Sequence, residues 1–222
     1  MEDFSYPSIF KIIENSNDEC KLASFVSWKP INSGIIERSV KMDEYSPMLH
    51  ENWIDRSYLY MMHHVFKKPI YDEYLVKQLL NYLRNNDNKK LKLLFVHLTD
   101  IDEIGHIYGF NSSQYLEQIK KTDNYLEIIL RTISELNWPK NILRIITTDH
   151  GGIGKSHGGE SDQEVNVFLS ISGEGIVPCL IESEITNMDC AAIVLKALGV
   201  EIPKNFDAEL PEAFKRKMNE VK

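Results

Sequence analysis

The sequence predicts an α/β fold with a mostly parallel central sheet and helices on both of its faces. Helical and strand patterns alternate along the chain, which is typical of this class. Two nearly continuous apolar runs, residues 91–98 and 142–147, have the length of strands buried on both faces of a parallel sheet. With 222 residues, 43% of them hydrophobic, the chain can bury the core of one domain over residues 1–222.

The first part of the chain contains signals for two helices and a strand. Pro7 opens a predicted helix over residues 7–13, and residues 22–28 predict a short strand that ends before Pro30. Apolar residues at helical spacing predict a further helix over residues 72–83, which an asparagine-rich segment ends.

Two segments complete this outline. Asn111 with Gln114 resembles a capping pair for a helix that extends to about residue 136. Residues 32–70 give mixed signals, are compatible with a short helix over residues 53–66, and are the candidate substrate-side insertion. Four aromatic residues of this segment could stack on a base or pack in a core, and core packing is favoured for them: Tyr45, Trp53, Tyr58 and Tyr60.

Composition narrows the range of partners and compartments. The formal net charge of -8 disfavours nonspecific binding to nucleic acid or to an acidic membrane, because either partner would favour clustered Lys and Arg. The three cysteines are widely spaced and predict neither a disulfide framework nor a cysteine metal site. No apolar stretch reaches the length of a membrane span. As written the chain is expected to be cytoplasmic, whereas an upstream segment would allow a secreted or membrane-anchored protein.

Five polar residues follow the two predicted strands. Asp102 and His106 come after the first strand, Asp149 and His150 come after the second, and His157 lies in the glycine-rich loop that continues from them. Open α/β sheets bind ligands beyond the carboxyl ends of their strands, so we expect these side chains to converge. The spacing of four places the first pair on one side of a helical turn.

These residue types suit a metal centre. Carboxylate and imidazole together favour zinc, with manganese as the less specific alternative. Two divalent ions roughly 4 Å apart could clamp a phosphoryl group while one of them lowers the pKa of a nucleophile. Each motif alone is weak, since a surface helix produces Asp-x-x-x-His by chance and Asp149 could instead cap a helix. Their combination favours metal binding. The other histidines are predicted to lie at the surface or in packing positions: His50, His63, His64 and His97.

The stretches 97–109 and 147–159, with the predicted helix 115–130 that contains Asp123, resemble the alkaline phosphatase superfamily. Within it, the chain is most similar to the type I phosphodiesterase and nucleotide pyrophosphatase group. The similarity continues weakly in residues 7–10, 27–31 and 187–199.

The resemblance implies a hydrolase of phosphoric esters that acts on a small-molecule substrate through two divalent metal ions. It implies that Asp102, His106 and His157 bind one ion and that Asp149 and His150 bind the second. The group also uses a Thr or Ser nucleophile, which forms a covalent intermediate, and a further aspartate from the first strand.

In that group the nucleophile and the further aspartate come before the segment that residues 7–10 resemble. Residues 1–6 contain no counterpart of either. The catalytic nucleophile is therefore unknown. We expect a domain that is incomplete at its N-terminus, with an exposed strand edge that lowers stability and invites pairing with another chain.

Three interpretations stay open at this point. The chain is a phosphoric-ester hydrolase that lacks its N-terminal part, or a protein that binds metal or a partner without catalysis. Alternatively, its substrate is a phosphate monoester, a phosphonate or a sulfate ester. The absence of a Cys-x-Pro-x-Arg motif from the sequence disfavours the sulfate ester.

Overall fold

The computed structural model describes residues 6–17, 19–47, 53–86, 89–136, 138, 141–173, 176, 178–181 and 184–211. Within them the predicted α/β fold with a parallel sheet is confirmed. Three parallel strands form the larger sheet in the order β2-β1-β3: β1 spans Lys21–Val26, β2 spans Asp43–Tyr45 and β3 spans Leu91–His97. A second sheet pairs β4, Arg144–Thr147, with β5, Leu169–Ser172, in antiparallel orientation.

The helices alternate with these strands. They are α1 Ile9–Ser16, α2 Trp53–His64, α3 Tyr71–Asn85, α4 Asp100–Tyr108, α5 Ser113–Glu135, α6 Asp162–Val165 and α7 Asp189–Ala197, and a π-helical turn spans Ile31–Ile35. Within the described residues, no helix is both long and apolar enough to cross a membrane.

Helices cover both faces of the larger sheet, as predicted. Successive residues of a strand point to opposite faces, and β1 follows this alternation. Leu22 packs with α1 and α7, whereas Ala23 and Phe25 pack with α3 and α5. The cluster beside α3 and α5 consists of Ala23, Phe25, Leu75, Val76, Leu79, Leu83, Ile129 and Ile133.

Two predicted helix starts were wrong by one or two residues. Pro7 lies before α1, and Ser8 is the N-cap because its hydroxyl accepts a hydrogen bond from the Lys11 amide. Ser112, not Asn111, caps α5 in the same way through the Tyr115 amide. A hydroxyl that satisfies an unpaired amide of the first turn fixes where the helix begins.

The burial predicted for two strands was also wrong. Residues of β3 and β4 are mostly half-buried instead of fully buried. Within the described residues, β3 pairs only with β1, and β4 pairs only with β5. Each strand therefore has one edge without a partner among those residues, and the side chains beside that edge keep part of their exposure.

The 32–70 segment contains β2 and α2. Its strand β2 extends the larger sheet, and Tyr45 stacks on Phe25 with ring centroids 6.0 Å apart, as core packing predicts. Tyr58 and Tyr60 on α2 are exposed, so core packing was wrong for them. The side chain of Trp53 and all of His50 lie outside what the structure describes. A substrate-side role for α2 stays a prediction.

Two buried carboxylates join the starts of α3 and α4. Asp72 accepts hydrogen bonds from the amides of Thr99 and Asp100 at 2.9 and 3.0 Å, and from the Ser27 hydroxyl at 2.6 Å. Asp100 in return accepts from the amides of Tyr71 and Asp72 at 3.1 and 3.3 Å. Each carboxylate thus caps the helix that carries the other, and we call this arrangement the Asp72–Asp100 clasp.

Replacing Asp72 with Ala should lower the free energy of unfolding by about 2–4 kcal/mol, because two buried amides and one hydroxyl lose their acceptor. Urea denaturation of the metal-free chain measures this loss. Asp123→Ala is the matched control, since Asp123 is exposed on α5 and the change should stay within about 0.5 kcal/mol.

The loss should also depend on pH. Burial raises the pKa of Asp72 above 3.8, and burial together with the Asp72 charge raises the pKa of Asp100 well above it. A carboxyl with a raised folded-state pKa stabilises the fold most below its unfolded pKa, and this contribution is lost as pH rises. The cost of Asp72→Ala should therefore be larger at about pH 5 than at about pH 8. The opposite trend would contradict the raised pKa values of these two carboxyls.

Candidate metal centre

The helix that follows β3 carries the first two candidate ligands. Asp102 and His106 lie one turn apart on α4, with His106 Nε2 3.4 Å from Asp102 Oδ2. Because α4 begins three residues after β3 ends, this pair lies beyond the carboxyl end of the strand, where ligand sites of α/β sheets occur.

His157 completes a group of three. Its Nε2 lies 3.6 Å from Asp102 Oδ1, and candidate ligand atoms of Asp102, His106 and His157 all lie within 4.8 Å of one another. Asp102 Oδ1 is buried and accepts no hydrogen bond from the residues described. A carboxylate oxygen left in this state between two imidazoles fits one divalent ion. We call these residues the metal triad.

Backbone carbonyls fix the tautomers of two histidines. The Nδ1 of His106 donates to the Lys155 carbonyl at 3.0 Å, and the Nδ1 of His150 donates to the Gly151 carbonyl at 2.8 Å. A carbonyl can only accept, so the proton of each neutral ring lies on Nδ1. Nε2 then keeps its lone pair for a metal, which is the usual outer-shell arrangement of a histidine ligand.

Asp149 and His150 border the triad without joining it. They follow β4, and His150 Nε2 lies 3.6 Å from Asp149 Oδ2. The His150 ring stacks on His157 with centroids 3.8 Å apart, while the Asp149 side chain is 71% exposed. The metal triad is the one group of three or more candidate ligands found among the described residues. This pair therefore offers two donors, and a second ion would need further ligands.

Phe110 holds the two histidine-bearing segments together. Its buried ring lies 5.8 Å from the His106 ring and 6.2 Å from the His157 ring. A Cβ on Gly105 or Gly152 would come within 2.5–2.7 Å of this ring, so both positions need glycine for the contact. The Phe110 amide also donates to the Gly154 carbonyl at 2.8 Å.

Glu164 anchors the glycine-rich loop from its other side. Its carbonyl accepts from the Gly151 amide, and its carboxylate accepts from the Gly159 amide at 2.8 Å and the Ser161 hydroxyl at 2.5 Å. These hydrogen bonds, with Ser161 the strongest cause, lower the pKa of Glu164. Sequence reasoning missed this residue, although Ser161-x-x-Glu164 has the spacing of a capping box.

His97 lies inside its strand, as predicted, and is its last residue. It lies half-buried at the end of β3, and its Nδ1 is buried without a hydrogen-bond partner among the residues described. Burial lowers the pKa of His97, and the charges of Asp149 and Asp102 oppose that shift.

The other histidines within the described residues match their predictions. His63 is partly buried and bonds Glu103 and Tyr71, at 3.0 Å in each case, and His64 is exposed beside it.

A family model described as Type I phosphodiesterase / nucleotide pyrophosphatase matches residues 25–192, which is well over half of the chain. The chain is also similar to GPI ethanolamine phosphate transferase 1 of Saccharomyces cerevisiae, with 24% identity over 142 residues. That match covers 55% of the chain and 16% of the relative. The human GPI ethanolamine phosphate transferase 2, catalytic subunit, is 32% identical over 120 residues, and the match covers 51% of the chain and 12% of the relative.

Among solved structures, the chain resembles Leishmania mexicana phosphoglycerate mutase determined at low cobalt concentration. The TM-score is 0.53 at 14% identity, and the match covers 90% of the chain and 38% of that structure. This likeness shows the fold alone. The chain spans about a sixth or less of the length of the curated relatives named above.

His157→Ala should weaken zinc binding at least about tenfold, because it removes one of three converging ligands. Isothermal titration calorimetry of the metal-free chain with Zn²⁺ measures this, and one strongly bound ion per chain is expected. His64→Ala is the matched control, since His64 is exposed and outside the triad. Equal zinc affinity of His157→Ala and the unsubstituted chain would remove His157 from the site.

Proposed function

The chain belongs to the type I phosphodiesterase / nucleotide pyrophosphatase family, and from this premise we propose that its metal triad serves the cleavage or transfer of phosphoric esters. The observation that carries the proposal is the convergence of Asp102, His106 and His157 in the region that the family model matches. The substrate class we propose is a small molecule with a phosphate ester.

In this proposal the triad holds one divalent ion, and Asp149 with His150 contributes to a second. Zinc suits the donor set best, and manganese is the alternative. When bound, such ions polarise a phosphoryl group and lower the pKa of an attacking hydroxyl or water. The residues of the chain position the ligand atoms: backbone carbonyls hold the rings of His106 and His150 with Nε2 available.

The nucleophile is the part that the metal triad does not supply. We propose that a hydroxyl nucleophile and a further carboxylate come from a strand outside the described residues, which pairs with the open edge of β3 or β4. Two findings support this: each of these strands has one partner among those residues, and both lead into the site. An unpaired strand edge is a template for such pairing.

Transfer is a second candidate beside hydrolysis. The named relatives are GPI ethanolamine phosphate transferases, which favours passing the phosphoester group to an acceptor other than water. In both reactions the nucleophile forms a bond to phosphorus as the bond to the leaving oxygen breaks, and the reactions differ only in the final acceptor.

The zinc-loaded chain should bind phosphoethanolamine or AMP, and Asp102→Ala should weaken that binding at least about tenfold because the ion is lost. Phosphorus NMR titration of each ligand, with and without zinc, measures this. Asp123→Ala is the matched control on an exposed helix surface. Tighter binding of phosphoethanolamine would favour transfer, and no zinc-dependent binding of either ligand would contradict the proposed function.

Turnover of bis(p-nitrophenyl) phosphate tests, independently of ligand binding, whether the chain needs a nucleophile from a further strand. The zinc-loaded chain alone should turn the ester over no faster than free zinc does, because the proposed nucleophile comes from the strand that would pair with β3 or β4. Turnover above the rate of free zinc that disappears in His157→Ala would show that the described chain suffices, with either one of its own groups or a metal-bound hydroxide as the nucleophile. That result would contradict the proposal of a further strand that carries the nucleophile, and it would support the phosphoester function.

A further inference from the structure

The outer side of α2 exposes large apolar side chains. Exposed fractions range from 39% to 65% for the residues Tyr58, Tyr60, Met61, Val65 and Phe66. The opposite side of the helix is packed, since Leu59 is only 3% exposed. Helical spacing places most of these side chains on one outward surface, and the turn after α2 continues it. We call this surface the α2 patch.

Contacts with α4 hold the patch beside the metal triad. The inner side of α2 reaches α4 through His63 Nε2, which lies 3.0 Å from Glu103 Oε2. The Tyr108 hydroxyl at the other end of α4 donates to the Lys67 carbonyl at 3.3 Å. The patch is therefore attached at two points to the helix that carries Asp102 and His106.

The charge at this place differs from that of the whole chain. Residues 57–71 contain no Asp or Glu, although the chain has 33 of them and a net charge of -8. Lys67 and Lys68 are both exposed at the end of the patch. The apolar surface thus has a positively charged rim in a chain that is negative as a whole.

The turn that carries these lysines has a defined shape. The Phe66 amide donates to the Met61 carbonyl at 3.2 Å and the Lys68 amide donates to the Met62 carbonyl at 2.9 Å. Lys67 has φ of 53°, in the left-handed region where glycine is favoured over lysine. A lysine at a position that suits glycine points to a use for its side chain.

We propose that the α2 patch with Lys67 and Lys68 is a contact surface for a membrane that contains anionic lipids. Exposed aromatic and aliphatic side chains enter the boundary between headgroups and acyl chains, and lysines beside them reach lipid phosphates. The net charge of -8 disfavours general adsorption to such a membrane, so binding needs a local surface of this kind. The absence of carboxylates from residues 57–71 favours an anionic lipid surface over a protein partner of mixed charge.

This surface goes beyond the proposed function, and its test is independent of turnover. Flotation of the full chain with vesicles in the presence of EDTA measures it, with phosphatidylcholine alone compared with phosphatidylcholine that contains about 30% phosphatidylserine. We expect binding to the anionic vesicles that weakens as salt is raised. Val65→Glu combined with Phe66→Glu should weaken binding at least about tenfold.

Two further variants make the test specific. Lys67→Gln with Lys68→Gln should weaken binding about fivefold per lysine and reduce its salt dependence. Leu180→Glu is the matched control, because Leu180 is a 92% exposed apolar residue outside the patch, and its binding should be unchanged.

Equal binding to neutral and anionic vesicles, or patch variants that bind as the unsubstituted chain does, would overturn the proposal. A change in oligomeric state on substitution at the patch, without any lipid binding, would assign the surface to protein association and overturn it as well. None of these outcomes bears on phosphoester binding, which needs the metal that EDTA removes.

Discussion

The Asp72–Asp100 clasp is the interaction on which the geometry of the site depends. It joins the first turns of α3 and α4, and Ser27 ties it to the end of β1. Since α3 is packed against the sheet through fully buried leucines, α4 takes its position from a rigid neighbour. The candidate ligand Asp102 lies two residues from Asp100. Positioning of the first two candidate ligands therefore begins with buried hydrogen bonds outside the candidate metal site.

The third candidate ligand depends on a different set of contacts. His157 lies in a loop whose shape is set by Phe110 on one side and Glu164 on the other. Glycines at 105 and 152 let the Phe110 ring approach both segments, and this contact fixes the position of the loop relative to α4. Rotation of either segment would separate His157 from Asp102. The metal triad therefore depends on Phe110, which contacts both segments, and on the room that glycine at 105 and 152 leaves for its ring.

The sequence predicted those parts of the structure that depend only on residues close to one another in the chain. Residues 91–98 have a strand's apolar pattern, and the spacing of Asp102 and His106 places them on one helical surface wherever the helix lies. The Asp72–Asp100 clasp was not predictable, because its partners are 28 residues apart and each Asp alone looks like an ordinary first-turn residue. Strand burial was overestimated for a similar reason: composition indicates an apolar strand, but its exposure depends on which strands pair with it.

The arrangement of the metal triad is tested most directly by anomalous scattering at the zinc edge from crystals of the chain grown with Zn²⁺. We expect the strongest peak within about 2.0–2.2 Å of Asp102, His106 and His157, with the two histidines bound through Nε2. Asp149 and His150 should show a weaker peak or none without further ligands. If the strongest peak lay at other residues and none lay at the triad, these three side chains would not form the main zinc site.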